Sequence, residues 1–202
     1  MSLSLTYFDF DGSRGLECRL ALTLAGVPFD DVRVTRDQWA ALRAHVPFGA
    51  LPVLADGDRT IAQSVAILGY VGRAHGLHPA DPWTAAEHDA LMLSVEDARS
   101  KMPEGKGMAE ADKKAAREAF AAGWLRQWAR TVEARIRGPF VQGDRPQVVD
   151  VKLYVILRSY LSGTFDYIGA DTFADCPKLL GLHAAMQAHP AVQGYWASRT
   201  QG

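Results

Sequence analysis

Cysteine is scarce in this chain of 202 residues: there are two, Cys18 and Cys176, far apart and in no CxxC pair. That spacing supplies no disulfide framework and no thiolate cage for a metal. The six histidines are scattered without ligand spacing, so no metal site is expected from them either. No apolar run reaches the length of about 18 residues that a membrane-spanning helix needs. A formal net charge of −1 leaves no positive surplus to draw the chain to nucleic acid or an anionic membrane. The opening MSLSLTYFDFDGSR has neither a basic n-region nor a small-residue cleavage site, and it reads as a first strand. With no leader expected, a cytoplasmic location and two reduced thiols are the default. Internal repeats and low-complexity stretches are missing too.

What remains is ordinary globular material, 48% hydrophobic and 22% charged, enough for one or two compact domains. The first eighty residues alternate strand and helix signals. LTYFDF (residues 5–10) is a short β-rich run, followed by a loop holding Gly12 and Gly15. Leu16, Leu20 and Leu24 recur at helical spacing and stop at Gly26. Val32 and Val34 alternate as a second strand, and Trp39 to His45 reads as a short irregular helix ended by Pro47. Asp56-Gly57 between two apolar runs marks a hairpin, and helical spacing resumes at Val65, Leu68 and Val71.

His75 to Trp83 forms a proline-containing connector, and beyond it every strong signal is helical. Asp81 and Pro82 suit the N-cap and first position of the next helix. Phe120, Trp124, Trp128, Val132 and Ile136 repeat every four residues as one long amphipathic face, read as core packing. Further helices are expected over about 150–161, 177–188 and 190–198. The fold class is therefore α/β plus all-α: a thioredoxin-like half over residues 1–76 and an all-helical half over residues 83–202.

Certain polar residues lie where chemistry could use them. Tyr7, in the first strand, offers a phenol that stays protonated at neutral pH and can donate to a thiolate. Arg14 brings a positive charge close behind it, and Ser13 is a competing hydroxyl. Cys18, inside the first helix, reads as a packed small hydrophobe rather than a redox thiol. PFGALPV (residues 47–53) places Leu51-Pro52 just before a strand, and Gln63-Ser64 opens a helix whose free N–H groups favour an anion. Asp150, in QVVDVKLY, keeps the acidic half of a capping box. Lys152 interrupts an apolar run, so it either faces solvent or lines a polar cleft.

Tyr7 with Arg14, the PFGALPV run and Gln63-Ser64 together resemble the amino-terminal half of the cytosolic glutathione transferases, in particular the sigma-like class that uses a tyrosine. The resemblance implies that Tyr7 activates the glutathione thiol, assisted by Arg14. It implies that Trp39 and Arg43 receive the glycine end, Arg43 standing where a lysine is more usual. It further implies a cis Leu51-Pro52 bond presenting Leu51 to the cysteinyl main chain, and Gln63 and Ser64 holding the γ-glutamyl carboxylate. Asp97 would reach the site of a neighbouring subunit, which implies a homodimer. Phe8, Arg99, Lys152 and Ile156 would line the electrophile pocket, with Arg99, Lys152 and Arg14 making it positive. The implied activity is conjugation of glutathione, a cosubstrate, to soft electrophiles, with no metal and no tightly bound cofactor. A partner-binding or stress-adaptor protein of the same fold is the other reading, and a glutathione-dependent isomerase or peroxidase a third.

Overall fold

Alternating burial along LSLTYF makes β1 (Leu3–Phe8) a strand with Leu5 and Tyr7 inward. The computed structural model describes residues 3–199. β1 pairs in parallel with β2 (Phe29–Val34) and antiparallel with β3 (Val53–Asp56), which turns through Gly57 into β4 (Arg59–Ala62). The sheet order is β2-β1-β3-β4. The parallel pair needs a crossover, and α1 (Ser13–Leu24) supplies it. Between β2 and β3 lies α2 (Arg36–Leu42), and α3 (Ser64–Ala74) follows the hairpin.

The second half is helical: α4 (Pro82–Lys101), α5 (Glu110–Phe120), α6 (Arg126–Glu133), α7 (Val148–Leu161), α8 (Pro177–Ala188) and α9 (Pro190–Arg199). α4 starts where Asp81 and Pro82 place it, the Asp81 carboxylate accepting from the Thr84 N–H at 2.8 Å. α1 and α7 are the central pair. Every residue from Gly15 to Leu22 and from Val148 to Leu157 is buried, because each helix is packed by neighbours on all sides. Asp150 fixes the start of α7, its carboxylate accepting from the Gln147 and Val141 N–H groups at 2.8 Å each.

Two local readings of the sequence are corrected. The helix expected from Trp39 begins earlier, at Arg36, because Thr35 and Gln38 form a reciprocal capping box: Gln38 N–H to Thr35 Oγ1 at 3.2 Å and Thr35 N–H to Gln38 Oε1 at 2.8 Å. The long aromatic face is not one regular helix, since residues Ala121–Leu125 form a π turn between α5 and α6. Residues spaced by four drift about 40° per repeat on a 3.6-residue helix. A wide turn in the middle takes back some of that drift, and Phe120, Trp128, Val132 and Ile136 all stay buried.

Candidate functional site

Tyr7 is buried near the end of the central strand, with its ring 5.6 Å from those of Phe8 and Phe10. Gly15 makes room for it. A Cβ at position 15 would stand 1.9 Å from the Tyr7 ring, so only glycine lets the first turn of α1 lie this close. Arg19, fully buried, holds the chain on either side of the phenol. It donates to the Phe8 carbonyl at 3.3 Å, the Phe10 carbonyl at 2.9 Å and Asp31 at 2.8 Å, with its guanidinium 5.8 Å from the Tyr7 ring centroid.

Burial pushes the Tyr7 phenol above its ordinary pKa, outweighing the opposing hydrogen bond from Ser13 and the charges of Arg14 and Arg99. The group is therefore a hydrogen-bond donor at neutral pH. Ser13 adopts φ of +52°, in the left-handed region. Gln63, at φ of +75°, does the same at the start of α3. Non-glycine residues seldom sit there, and two of them flank this part of the molecule.

A cleft of about 600 Å³ is lined by Arg14, Ala50, Leu51, Gln63, Ser64 and Glu96, among others. The Leu51-Pro52 bond on its wall is cis. Gln63, not Ser64, is the N-cap residue of α3, and its carbonyl accepts from the Ile67 N–H. The three N–H groups before that one start the helix at the cleft and have no intrahelical partner by geometry. Tyr7 and Phe8 line a second, open hollow with Trp39. Ser13, Arg99 and Ile156 line a third, of about 190 Å³. The neighbours Arg14 and Ser13 line the first cleft and the third cavity respectively. Phe8 is thus brought to Tyr7 and Trp39, not to Arg99 and Ile156. Arg43 lies in a 3₁₀ turn against Gly49, and Asp97 is exposed on α4.

Lys152 requires the main correction. It neither faces solvent nor waits in an open cleft: it is fully buried, donating to Glu17 Oε2 at 2.7 Å, Glu96 Oε1 at 2.7 Å and Ser64 Oγ at 3.4 Å. Arg99 donates to both glutamates and Arg14 to Glu96 at 2.8 Å. The positive pocket expected from Arg14, Arg99 and Lys152 is therefore offset, all but one charge of it, by two carboxylates that the sequence reading passed over. A buried ammonium must be paired, and Glu17, itself fully buried within the apolar run of α1, supplies the partner. That lone acid in one apolar helix, opposite a lone lysine in another, was the available signal. Burial works against ionisation of Glu96, but Lys152, Arg99 and Arg14 prevail and hold its carboxyl at about 2. Cys18 sits in the same core, its thiol pushed far above the usual range by burial, and is chemically silent. Among the described residues no group of histidine, cysteine and acidic side chains could hold a metal, and no helix is long and apolar enough to cross a membrane.

The comparisons with known proteins match two successive stretches of the chain. Residues 3–73 match the glutathione S-transferase N-terminal domain, and residues 96–199 the glutathione S-transferase C-terminal domain. Glutathione S-transferase 1 of Ascaris suum is 42% identical over 93 residues, 46% of this chain and 45% of that protein, so the chain spans under half the length of this relative. The probable glutathione S-transferase gst-36 of Caenorhabditis elegans is 29% identical across 96% of this chain and 94% of its own. The crystal structure of the glutathione S-transferase from Ascaris lumbricoides superposes with a TM-score of 0.84 at 27% identity, covering 98% of both chains. With residues 3–73 and 96–199 both matched, this chain belongs to the cytosolic glutathione S-transferase superfamily.

Proposed function

We propose that this chain is a glutathione transferase that joins the glutathione thiolate to soft electrophiles such as aryl halides, enones and epoxides. One arrangement carries the reading: Tyr7, a buried phenol kept protonated, is hydrogen-bonded to Ser13, whose neighbour Arg14 lines the cleft where Gln63, Ser64 and the start of α3 offer donors to an anion. A thiol is reactive as its thiolate, and a donor aimed at sulfur favours that form. In this reading Tyr7 donates to the sulfur and Arg14 adds positive charge. Leu51, beside Pro52, meets the cysteinyl backbone, Gln63 and Ser64 hold the γ-glutamyl carboxylate, and Trp39 and Arg43 hold the glycine end. The charge cluster beneath Ser64 has three cations and two carboxylates, and the one unmatched positive charge favours an anion at Ser64. Glutathione is a cosubstrate, and no tightly bound cofactor or metal takes part. The proposed domains are residues 1–76 and 83–202, of which 1–2 and 200–202 lie outside the described residues, and the proposed location is the cytoplasm. Steady-state conjugation of an aryl halide tests the activity; a purified chain with glutathione and no turnover above the solution rate would end it.

The proposed assembly is a homodimer in which exposed Asp97 reaches the glutathione ammonium in the neighbouring subunit. Such an interface should bury upwards of about 2,000 Å² in total. Asp97→Ala is expected to raise KM for glutathione several-fold with little change in kcat. Light scattering that finds a stable monomer binding glutathione normally would refute the shared site.

A further inference from the structure

The exit of β1, residues 8–11, is held more heavily than a surface loop requires. Arg19 donates to the Phe8 and Phe10 carbonyls at 3.3 and 2.9 Å. Arg33, on β2, donates to Asp31 at 2.7 Å, Asp9 at 3.1 Å and Asp11 at 2.7 Å. Helix α9 reaches the same place from the far end of the sequence: the Tyr195 hydroxyl donates to Asp11 Oδ1, and Arg199 donates to Asp11 Oδ2 at 3.2 Å. Three carboxylates, of Asp9, Asp11 and Asp31, meet three guanidiniums, of Arg19, Arg33 and Arg199. Burial opposes ionisation of Asp11, but the hydrogen bonds from Arg33 and Tyr195 prevail and hold its carboxyl at about 2. Burial and the Asp11 carboxylate push the Tyr195 phenol far above its ordinary range, so it stays a donor.

The seating of α9 does not depend on that hydroxyl. Val192 and the Tyr195 ring are buried, and the Trp196 ring lies 4.4 Å from the Arg158 guanidinium. The Tyr195 hydrogen bond is therefore added to a helix already in place, and what it fixes is the loop. Two residues beyond Asp11 comes Ser13 at φ of +52°, a conformation that a residue other than glycine keeps only when its surroundings impose it. Ser13 hydrogen-bonds Tyr7 and pulls its pKa downward, the sign of a hydroxyl donating to the phenolic oxygen. With that donor on its oxygen, Tyr7 keeps its own proton free for another acceptor.

We propose that Asp11 and Tyr195 are positioning residues of the conjugation reaction: α9 pins the β1–α1 loop at Asp11, so that Ser13 keeps its left-handed turn and its hydrogen bond to Tyr7. This rests on the conjugation reading above. Neither residue touches glutathione or the acceptor in that reading. Neither holds the positive charge near the sulfur, because Arg14 is tied separately to Glu96 at 2.8 Å. The latch governs the direction in which Tyr7 donates, and a small misplacement of such a group costs much in rate. Its loss belongs in thiol ionisation and turnover, not in binding.

A double-mutant cycle in the full chain, with glutathione and 1-chloro-2,4-dinitrobenzene, tests this. Tyr195→Phe keeps the ring packing and is expected to lower kcat by about 5- to 30-fold, with KM for glutathione within twofold. The bound thiol should ionise at higher pH, read from the ultraviolet absorbance of the thiolate. Asp11→Asn keeps the size and removes the charge; it should give the same pattern, and it serves if Tyr195→Phe is too unstable to assay. Ser13→Ala alone should lose a similar factor. Ser13→Ala combined with Tyr195→Phe should lose no more than about twofold beyond Ser13→Ala, because both act through one hydrogen bond. Losses that multiply, a higher KM with kcat unchanged, or a lower thermal midpoint with the same thiol ionisation would overturn the latch. Active wild-type protein matched by both latch variants would overturn this proposal alone, and inactive wild-type protein would overturn the conjugation reading with it.

Discussion

Replacing Tyr7 with phenylalanine is expected to lower kcat/KM for an aryl halide by roughly 10- to 1,000-fold while glutathione still binds. The ring keeps its place, because Gly15 and Arg19 shape its surroundings through the backbone and the ring faces, not through the hydroxyl. What disappears is the donor at sulfur. The bound thiol should then ionise at higher pH, and the acid limb of the kcat/KM profile should move upward with it. Calorimetry should find glutathione affinity within a few-fold of the wild type, since the contacts proposed for both carboxylate ends are intact. Unchanged turnover in the mutant would remove Tyr7 from the mechanism and pass its role to Ser13 or Arg14.

A loss of about 3 kcal/mol in folding stability is expected from Lys152→Met, at the low end of what breaking a buried ion pair costs. The low end applies because Arg99 still meets both glutamates and Arg14 still meets Glu96. Urea unfolding should show a lower midpoint with an unchanged slope. The pH dependence has a definite sign. Glu96 has a folded pKa of about 2 against an ordinary 4.5, so its stabilisation is present above 4.5 and lost as pH falls toward 2. Without Lys152 that depression shrinks, and acid unfolding should begin at higher pH. A mutant as stable as the wild type at neutral pH, with the same acid limb, would show that the ammonium contributes nothing net.

The strand and helix order of the first half was legible because each element carries its own punctuation. Gly26 ends α1, Gly57 turns the hairpin, and Asp81 with Pro82 starts α4. Tyr7, Arg14, Leu51, Pro52, Gln63 and Ser64 stood out through short motifs, and four of them, Arg14, Leu51, Gln63 and Ser64, line one cleft. Lys152 was misread for a physical reason. Charge in an apolar run says only that a partner is needed, and its partner Glu17 is 135 positions away in sequence. Nothing local records which carboxylate closes such a gap. The π turn was hidden because spacing by four fits a gently drifting helix as well as an interrupted one.

The Glu17 contacts also bear on how freely the two halves could be recombined. Glu17 belongs to α1, while Lys152, Arg99 and Glu96 belong to α7 and α4, so a single ionic agreement spans both parts of the chain. A hybrid that takes its first half from a relative with an apolar residue at this position would inherit two sequestered cations and one acid to serve them. The reverse hybrid would bury a carboxylate against oil. The halves are therefore modules in architecture but not in energy: a change at position 17 is felt at Lys152, 135 residues away.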